Sequence, residues 1–272
     1  MPEQYQERRA HFYESVFYVD ERVLIPRPET EILVETALDM LKTIRARASS
    51  GGVALLDLGT GSGNIVISLT LRCRLSPALK GGEDLRHSGS IPSPSISLGA
   101  YPEPAEGSKS RSERPGCVEG LTKIAELDTI VACDISADAL CVARLNAVLH
   151  GLAGKIAFIQ SDLFDTITGQ FDMIVSNPPY VSSDEFGTLP PEVLQEPAVA
   201  LDGGPDGLVF IWKIIEAAPG FLKPGGALLM EIGYDQSRDV QALIRQTEGL
   251  SLVAVRKDYS NIDRVIVAER HG

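Results

Sequence analysis

Apolar residues in this chain gather into short, nearly unbroken runs separated by amphipathic stretches. Val53-Ala54-Leu55-Leu56, Thr129-Ile130-Val131-Ala132-Cys133, the run from Ile156 to Gln160 and Phe171-Asp172-Met173-Ile174-Val175-Ser176 have the length and composition of buried strands. A fifth run starts near Ala227, after Leu222-Lys223-Pro224-Gly225-Gly226, which reads as the turn leading into it. Between the runs the period becomes helical. Ile32, Leu33, Thr36, Ala37, Met40, Leu41 and Ile44 form one stripe of a helix over about residues 28–47, with a proline and a glutamate suited to its first turn. Ser136 as N-cap, Asp138 in the first turn and Gly151 just beyond the end bound another over 137–150. Further helices are expected from Asn64 onward and over 208–218 and 236–246. Strands near 252–256 and 264–268 close the pattern as an antiparallel hairpin, and a separate strand pair begins near Tyr13. The prediction is an α/β domain with a mostly parallel seven-stranded sheet and helices on both faces. A lead-in of strand pair and helix (1–50) precedes the core domain (51–272).

The pattern lapses from Ser76 to Gly120. There 22 of 45 residues are Ser, Gly or Pro and the apolar ones follow no period, so a disordered insertion is expected. It joins the first core helix to the second strand, at the amino-terminal edge of the sheet. Ligands of open α/β sheets bind at the opposite edge, so activity should survive the insertion.

Composition excludes several classes. With 272 residues and 44% hydrophobic content the chain supports one good-sized core. No apolar run is long enough to span a bilayer and no secretory pattern opens the chain, so a cytoplasmic protein without a membrane partner is expected. A formal charge of -12 argues against nucleic acid as a partner and suits a basic protein or a cationic cofactor instead. Cys73, Cys117, Cys133 and Cys141 lack paired metal spacing and read as reduced thiols; the four histidines are scattered, and no metal site is expected.

The candidate chemistry falls on the strand ends. Asp57-Leu58-Gly59-Thr60-Gly61-Ser62-Gly63 lies between the first run and a helix, where a backbone can approach a nucleotide-like ligand closely. Asn64 and Val66 stand where a dinucleotide fingerprint needs glycine, so the G-x-G-x-G spacing fits a cofactor without a pyrophosphate, such as S-adenosylmethionine, better than NAD. Asp134 ends the second strand, where an acid can receive ribose hydroxyls, and Asp162-Leu163 follow the third, placed to flank an adenine. Asn177-Pro178-Pro179-Tyr180 follow the fourth. Two prolines remove backbone donors and stiffen the turn, leaving the Asn177 side-chain oxygen and the Pro178 carbonyl as acceptors beside an aromatic ring. Such a rim suits a planar NH2 group, as in a glutamine amide or the exocyclic amine of adenine.

On these motifs the chain resembles the bacterial release-factor type of protein glutamine N5-methyltransferases. Residues 22–31, Arg22-Val23-Leu24-Ile25-Pro26-Arg27-Pro28-Glu29-Thr30-Glu31, match the family's lead-in segment; 57–63 match its cofactor loop and 176–180 its substrate loop. Glu196-Pro197, the stretch from Ala200 to Gly207, Lys257-Asp258-Tyr259-Ser260 and Asp263-Arg264-Val265 match the remainder. The resemblance implies a Rossmann-like class I S-adenosylmethionine-dependent methyltransferase fold. It further implies methylation of the glutamine in the Gly-Gly-Gln loop of a release factor, with Asn177, Pro178, Pro179 and Tyr180 as catalytic residues. Asp57, Gly59, Thr60, Gly61, Ser62, Gly63, Asp134, Asp162, Leu163 and Asn177 would line the cofactor. The family's upstream helical domain is expected to be missing, which would weaken the hold on the protein substrate. The alternatives are a ribosomal-protein glutamine, adenine N6 in DNA or RNA, and a non-catalytic remnant.

Overall fold

In the computed structural model, which describes residues 1–47, 52–75 and 126–272, each apolar run forms a strand. The expected disordered insertion at 76–120, Cys117 included, lies outside the described residues. In chain order the elements are α1 (Glu3–Glu7), β1 (Ala10–Phe12), β2 (Ser15–Phe17), α2 (Glu31–Arg47), β3 (Val53–Leu58), α3 (Asn64–Arg72), β4 (Arg74–Leu75) and β5 (Glu126–Asp134). They continue with α4 (Ala137–Leu149), β6 (Ala157–Gln160), β7 (Phe171–Ser176), α5 (Ser183–Phe186), α6 (Val209–Phe221), β8 (Leu222–Glu231), α7 (Ser237–Gln246), β9 (Leu250–Lys257) and β10 (Asp263–Arg270).

The main sheet runs β6-β5-β3-β7-β8-β10-β9, parallel except where β10 pairs antiparallel with β8 and β9. The two-residue β4 adds an eighth strand, sharing the outer edge of β5 with β6. It pairs only at the start of β5, which is why the periodicity gave no sign of it. β1 and β2 form their own hairpin.

Alternation within the strands explains two helical layers. Leu55, Met173, Val175, Leu229 and Val267 pack with Leu33, Ala37, Leu41 and Ile67 of α2 and α3 on one face. Leu56, Ile174, Leu228, Met230 and Ile266 pack with Ile211, Ile215, Val240 and Ile244 of α6 and α7 on the other. A strand covered on both faces loses the polar half of the period-2 pattern, so it reads as a continuous apolar run. The α2 stripe is buried as expected apart from Met40, which is partly exposed.

Two local readings change. Residues 222–226 belong to β8, where Leu222 pairs with Phe171, the register shifts before Met173↔Ala227, and Gly225 takes φ 76° to absorb the irregularity. Between β6 and β7 the described chain turns back without a helix.

Register gathers the motifs on one edge. Leu58 lies beside Cys133 and Ser176, Asp134 beside Gln160, and Ser176 beside Met230. Residues 57–63, 134–136, 161–163, 177–180 and Glu231 therefore share the carboxyl edge of the sheet, where open α/β folds bind ligands.

Candidate active site

The glycine loop is shaped by backbone constraints. Gly59, Gly61 and Gly63 take φ of 70°, 54° and 80°, a region open to glycine at little cost. The N–H groups of Gly59 and Thr60 both donate to the Cys133 carbonyl at 2.9 Å, and Gly61 N–H donates to Asp134 Oδ2 at 2.9 Å. A Cβ at Gly59 or Gly61 would meet no atom of the described residues within 4 Å, so the loop presents open space there. At Gly63 a Cβ would press on Ile67 and Ala143, so this glycine serves the packing of α3 on α4. Asp57 is fully buried beneath the loop, with Oδ2 accepting from the Thr60 hydroxyl at 2.7 Å. Burial pushes its carboxyl up to about 7 against the pull of that bond, and Oδ1 has no partner among the described residues.

A cavity opens above this loop. Gly59, Thr60, Gly61, Ser62, Asp134, Asp162, Leu163, Asn177 and Pro179 of the expected residues line it. Asp57, Gly63, Pro178 and Tyr180 are not part of its lining. Asp134 is held by two backbone N–H groups, from Gly61 and from Ser136 at 2.9 Å, and burial raises its carboxyl despite them. Leu163 takes φ 47°, a conformation that bulky L-residues rarely adopt and that is retained mostly at functional loops. The walls carry acids (Asp134, Asp162) and arginines (Arg22, Arg27) around an apolar slot that includes Ile65, Pro197 and Phe210. Open space over two glycines, an acid at the β5 tip and charges of both signs fit a zwitterionic nucleoside sulfonium such as S-adenosylmethionine.

The Asn-Pro-Pro-Tyr rim is braced from three sides. The Asn177 side-chain nitrogen donates to the Thr30 hydroxyl at 3.1 Å, and among the described residues no donor meets its side-chain oxygen. The Tyr180 hydroxyl donates to Glu231 Oε1 at 3.2 Å, so the ring points down into the α6–α7 layer. Gln236 Nε2 donates to the Tyr180 carbonyl at 2.9 Å and also reaches Gly207. Val181 exchanges backbone bonds with Leu201 and Gly203, which lays the 201–207 loop along the rim.

Residues that the motifs alone did not single out complete the site. Thr30 is buried in the short turn Pro28–Thr30 that opens α2. Glu196, also buried, accepts from the Ile25 N–H at 2.9 Å and pairs with Arg27, clamping the lead-in segment to the loop after the rim. Glu231 ends β8 with no exposed surface; its Oε2 has no partner among the described residues. Burial pushes its carboxyl up to about 7, opposed by Thr30, Arg264 and Tyr180. A glutamate closing the apolar run Ala227-Leu228-Leu229-Met230 was the available signal for it.

This buried acid predicts a pH dependence of stability. A carboxyl raised by the fold costs nothing while both states are protonated, below about 4.5. The penalty grows as pH rises towards 7 and is complete above it, at about 3 kcal/mol for a shift from 4.5 to about 7. Glu231→Gln should therefore gain stability over the parent at pH 8 and lose that advantage at pH 5, read by thermal denaturation at the two values. An equal difference at both would show that Glu231 does not titrate in this range.

Among the described residues no helix is long and apolar enough to cross a membrane, and no group of His, Cys, Asp or Glu is arranged to hold a metal ion. Cys73 and Cys133 are buried free thiols and Cys141 is exposed.

Comparison with known proteins agrees with this geometry. The family model for the methyltransferase small domain matches residues 119–260. The chain is 35% identical to release factor glutamine methyltransferase of Chlorobaculum tepidum, covering 97% of this chain and 72% of that protein. It is 36% identical to the protein of the same name from Agrobacterium fabrum, covering 93% and 68%. Among solved structures, the ribosomal protein L11 methylase of Lactobacillus delbrueckii subsp. bulgaricus shares the fold, with a TM-score of 0.52 at 15% identity over 93% of this chain and 84% of that one.

Proposed function

The chain belongs to the release factor glutamine methyltransferase family, and on that premise we propose that it methylates the side-chain amide nitrogen of a glutamine in a peptide chain release factor. The Gly-Gly-Gln loop is the segment presented, and S-adenosylmethionine is the cofactor. One observation carries the reading. Asn177 has its nitrogen engaged by Thr30 and, among the described residues, no donor on its oxygen, on the wall of the cavity that the glycine loop opens.

An amide nitrogen is a weak nucleophile because its lone pair is delocalised. When bound, the cofactor supplies an electrophilic methyl. The protein supplies position: the Asn177 oxygen and the Pro178 carbonyl each accept one N–H of the substrate carboxamide, which aims the nitrogen and favours its pyramidal form. Holding reacting groups in line is worth several kcal/mol, about 7 or more in well-oriented systems. Acceptors that tighten as the N–H groups become acidic add an electrostatic contribution. Gly59, Thr60, Gly61, Asp134, Asp162 and Leu163 hold the cofactor, with Asp57 and Gly63 shaping the loop from beneath. Pro179 walls the cavity, and Tyr180 anchors the end of the rim through Glu231. No general base is needed before attack; one of the two N–H protons leaves to water after transfer, and the other stays on the methylated nitrogen.

The test offers purified release factor, the same factor with its loop glutamine replaced, and bare DNA, each with methyl-labelled cofactor. Label is expected on the first alone. Label on the glutamine-free factor or on DNA would overturn the assignment.

A further inference from the structure

We propose that Glu196 is a positioning residue for methyl transfer: it closes a ring of bonds around the cavity and so holds the Asn177 amide in place. The ring can be followed from the rim. Asn177 Nδ2 donates to the Thr30 hydroxyl at 3.1 Å, and the Thr30 N–H donates to the Arg27 carbonyl at 3.1 Å. The Arg27 guanidinium and the Ile25 N–H both reach Glu196, one on each carboxylate oxygen. The chain runs on from Glu196 to Leu201, whose carbonyl accepts from the Val181 N–H at 3.0 Å, next to Tyr180. The circuit thus returns to the rim. Leu24, Pro26 and Arg27 line one part of the cavity and Pro197, Val199 and Ala200 another, so the link at Glu196 fixes their separation.

The lead-in segment needs such a link. Residues 18–27 belong to no helix or strand, and Pro26 has no N–H to give. The Ile25 side chain is not part of the cavity lining; it is buried in a cluster with Tyr5, Val19 and Val142. Its N–H is left for the Glu196 carboxylate at 2.9 Å. Among the described residues, both bonds from this segment to the loop after the rim go to Glu196. Stability alone does not call for a charge here, since replacing a buried ion pair by apolar side chains of similar volume is often neutral or favourable. What a carboxylate adds is direction: two acceptor oxygens in one plane fix a backbone and a guanidinium together. Without it the lead-in can swing outward and draw Thr30 off Asn177.

The proposal rests on the reading that Asn177 holds the substrate amide, so one arm of its test needs no substrate. Asparagine-selective 15N labelling shows the NH2 groups of Asn177 and of Asn146, a buried control that donates to the Tyr18 and Ser62 carbonyls. The Asn177 signal is assigned by its loss in Asn177→Asp. In Glu196→Gln, hydrogen exchange at Asn177 should accelerate by about tenfold, the loss of one hydrogen bond, while Asn146 keeps its parental rate. In turnover, Glu196→Gln should lose about tenfold or more in kcat, with a smaller change in KM for the release factor. In the Asn177→Ala background the same substitution should cost almost nothing further, because both remove one positioned group. Parental exchange at Asn177 overturns the proposal, and so does equal acceleration at Asn146, the mark of a residue that merely stabilises the fold. When Asn177→Ala is inactive, parental kcat in Glu196→Gln or a full additional loss in the double variant overturns it too, and leaves the acceptor reading standing. Parental turnover in Asn177→Ala sinks the acceptor reading instead, and exchange alone then decides the ring. Where Glu196→Gln does not fold, Arg27→Gln cuts the same link from its more exposed end and takes the same readings.

Discussion

Asn177→Ala should lower kcat by about 10²–10³-fold, the range observed when one preorganised polar group is removed from a reaction centre. Cofactor affinity should fall far less, because the glycine loop, Asp134 and the 161–163 turn are untouched; Asn177 forms one part of a broad cavity wall. The loss arises because the alanine enzyme still has the Pro178 carbonyl but no second acceptor, so a bound carboxamide can rotate out of line. Single-turnover rates with labelled cofactor, alongside calorimetric cofactor titration, separate the two quantities. Near-parental turnover would show that the substrate nitrogen is held elsewhere. The fold should not suffer, since Asn177 is only partly buried and its single side-chain bond among the described residues is to Thr30.

Gly207→Ala should damage both stability and rate without altering any residue of the cavity wall. A Cβ there would lie 2.3 Å from the Tyr180 carbonyl oxygen and 2.6 Å from Gln236 Nε2, and the residue holds φ 73°. The left-handed backbone costs an alanine about 1–2 kcal/mol. Overpacking against the Tyr180 backbone carbonyl, which cannot rotate away, adds about 1–3 kcal/mol. Relief requires the 201–207 loop or the rim to move, and displacing reacting groups by about 1 Å can cost about 10²-fold in rate. Gly154→Ala is the control: its φ is 71° but a Cβ meets nothing within 4 Å, so only the backbone penalty remains. Chemical denaturation and kcat/KM of the two variants make the comparison. Equal behaviour would mean that the loop yields freely and does not brace the rim.

What could be read from the chain beforehand was what the backbone encodes locally. The glycine spacing of 59–63, the proline pair at 178–179 and the acid ending β5 all declare themselves within a few residues, and the structure puts them on one sheet edge. Thr30 stood in the family-matching segment 22–31 but was given no site role, because a threonine after Pro-Glu has a complete local explanation at a helix start, while its partner Asn177 is 147 positions away. Glu196 stood in a segment that matches the family but was given no site role, because its partners Ile25 and Arg27 lie some 170 positions off. Tyr180 was expected beside the substrate, and in the structure its hydroxyl turns inward to Glu231. A ring after two prolines has two faces on offer, and only the buried acid across the sheet selects between them. The short β4 and the irregular start of β8 escaped for a different reason: pairing of two residues, and a bulge, leave no period to detect.

The bond between Asn177 and Thr30 also bears on how the molecule comes into being. Its two halves belong to the opening of the chain and to its second half, and Glu231, which receives the Tyr180 hydroxyl at the end of the rim, is made later still. A ribosome that has released only the strands up to β7 has released no functioning amide grip. Loop closures of this span are slow compared with helix or hairpin formation. The grip is therefore among the last features to be secured during folding and among the first to go when the lead-in helix lifts away.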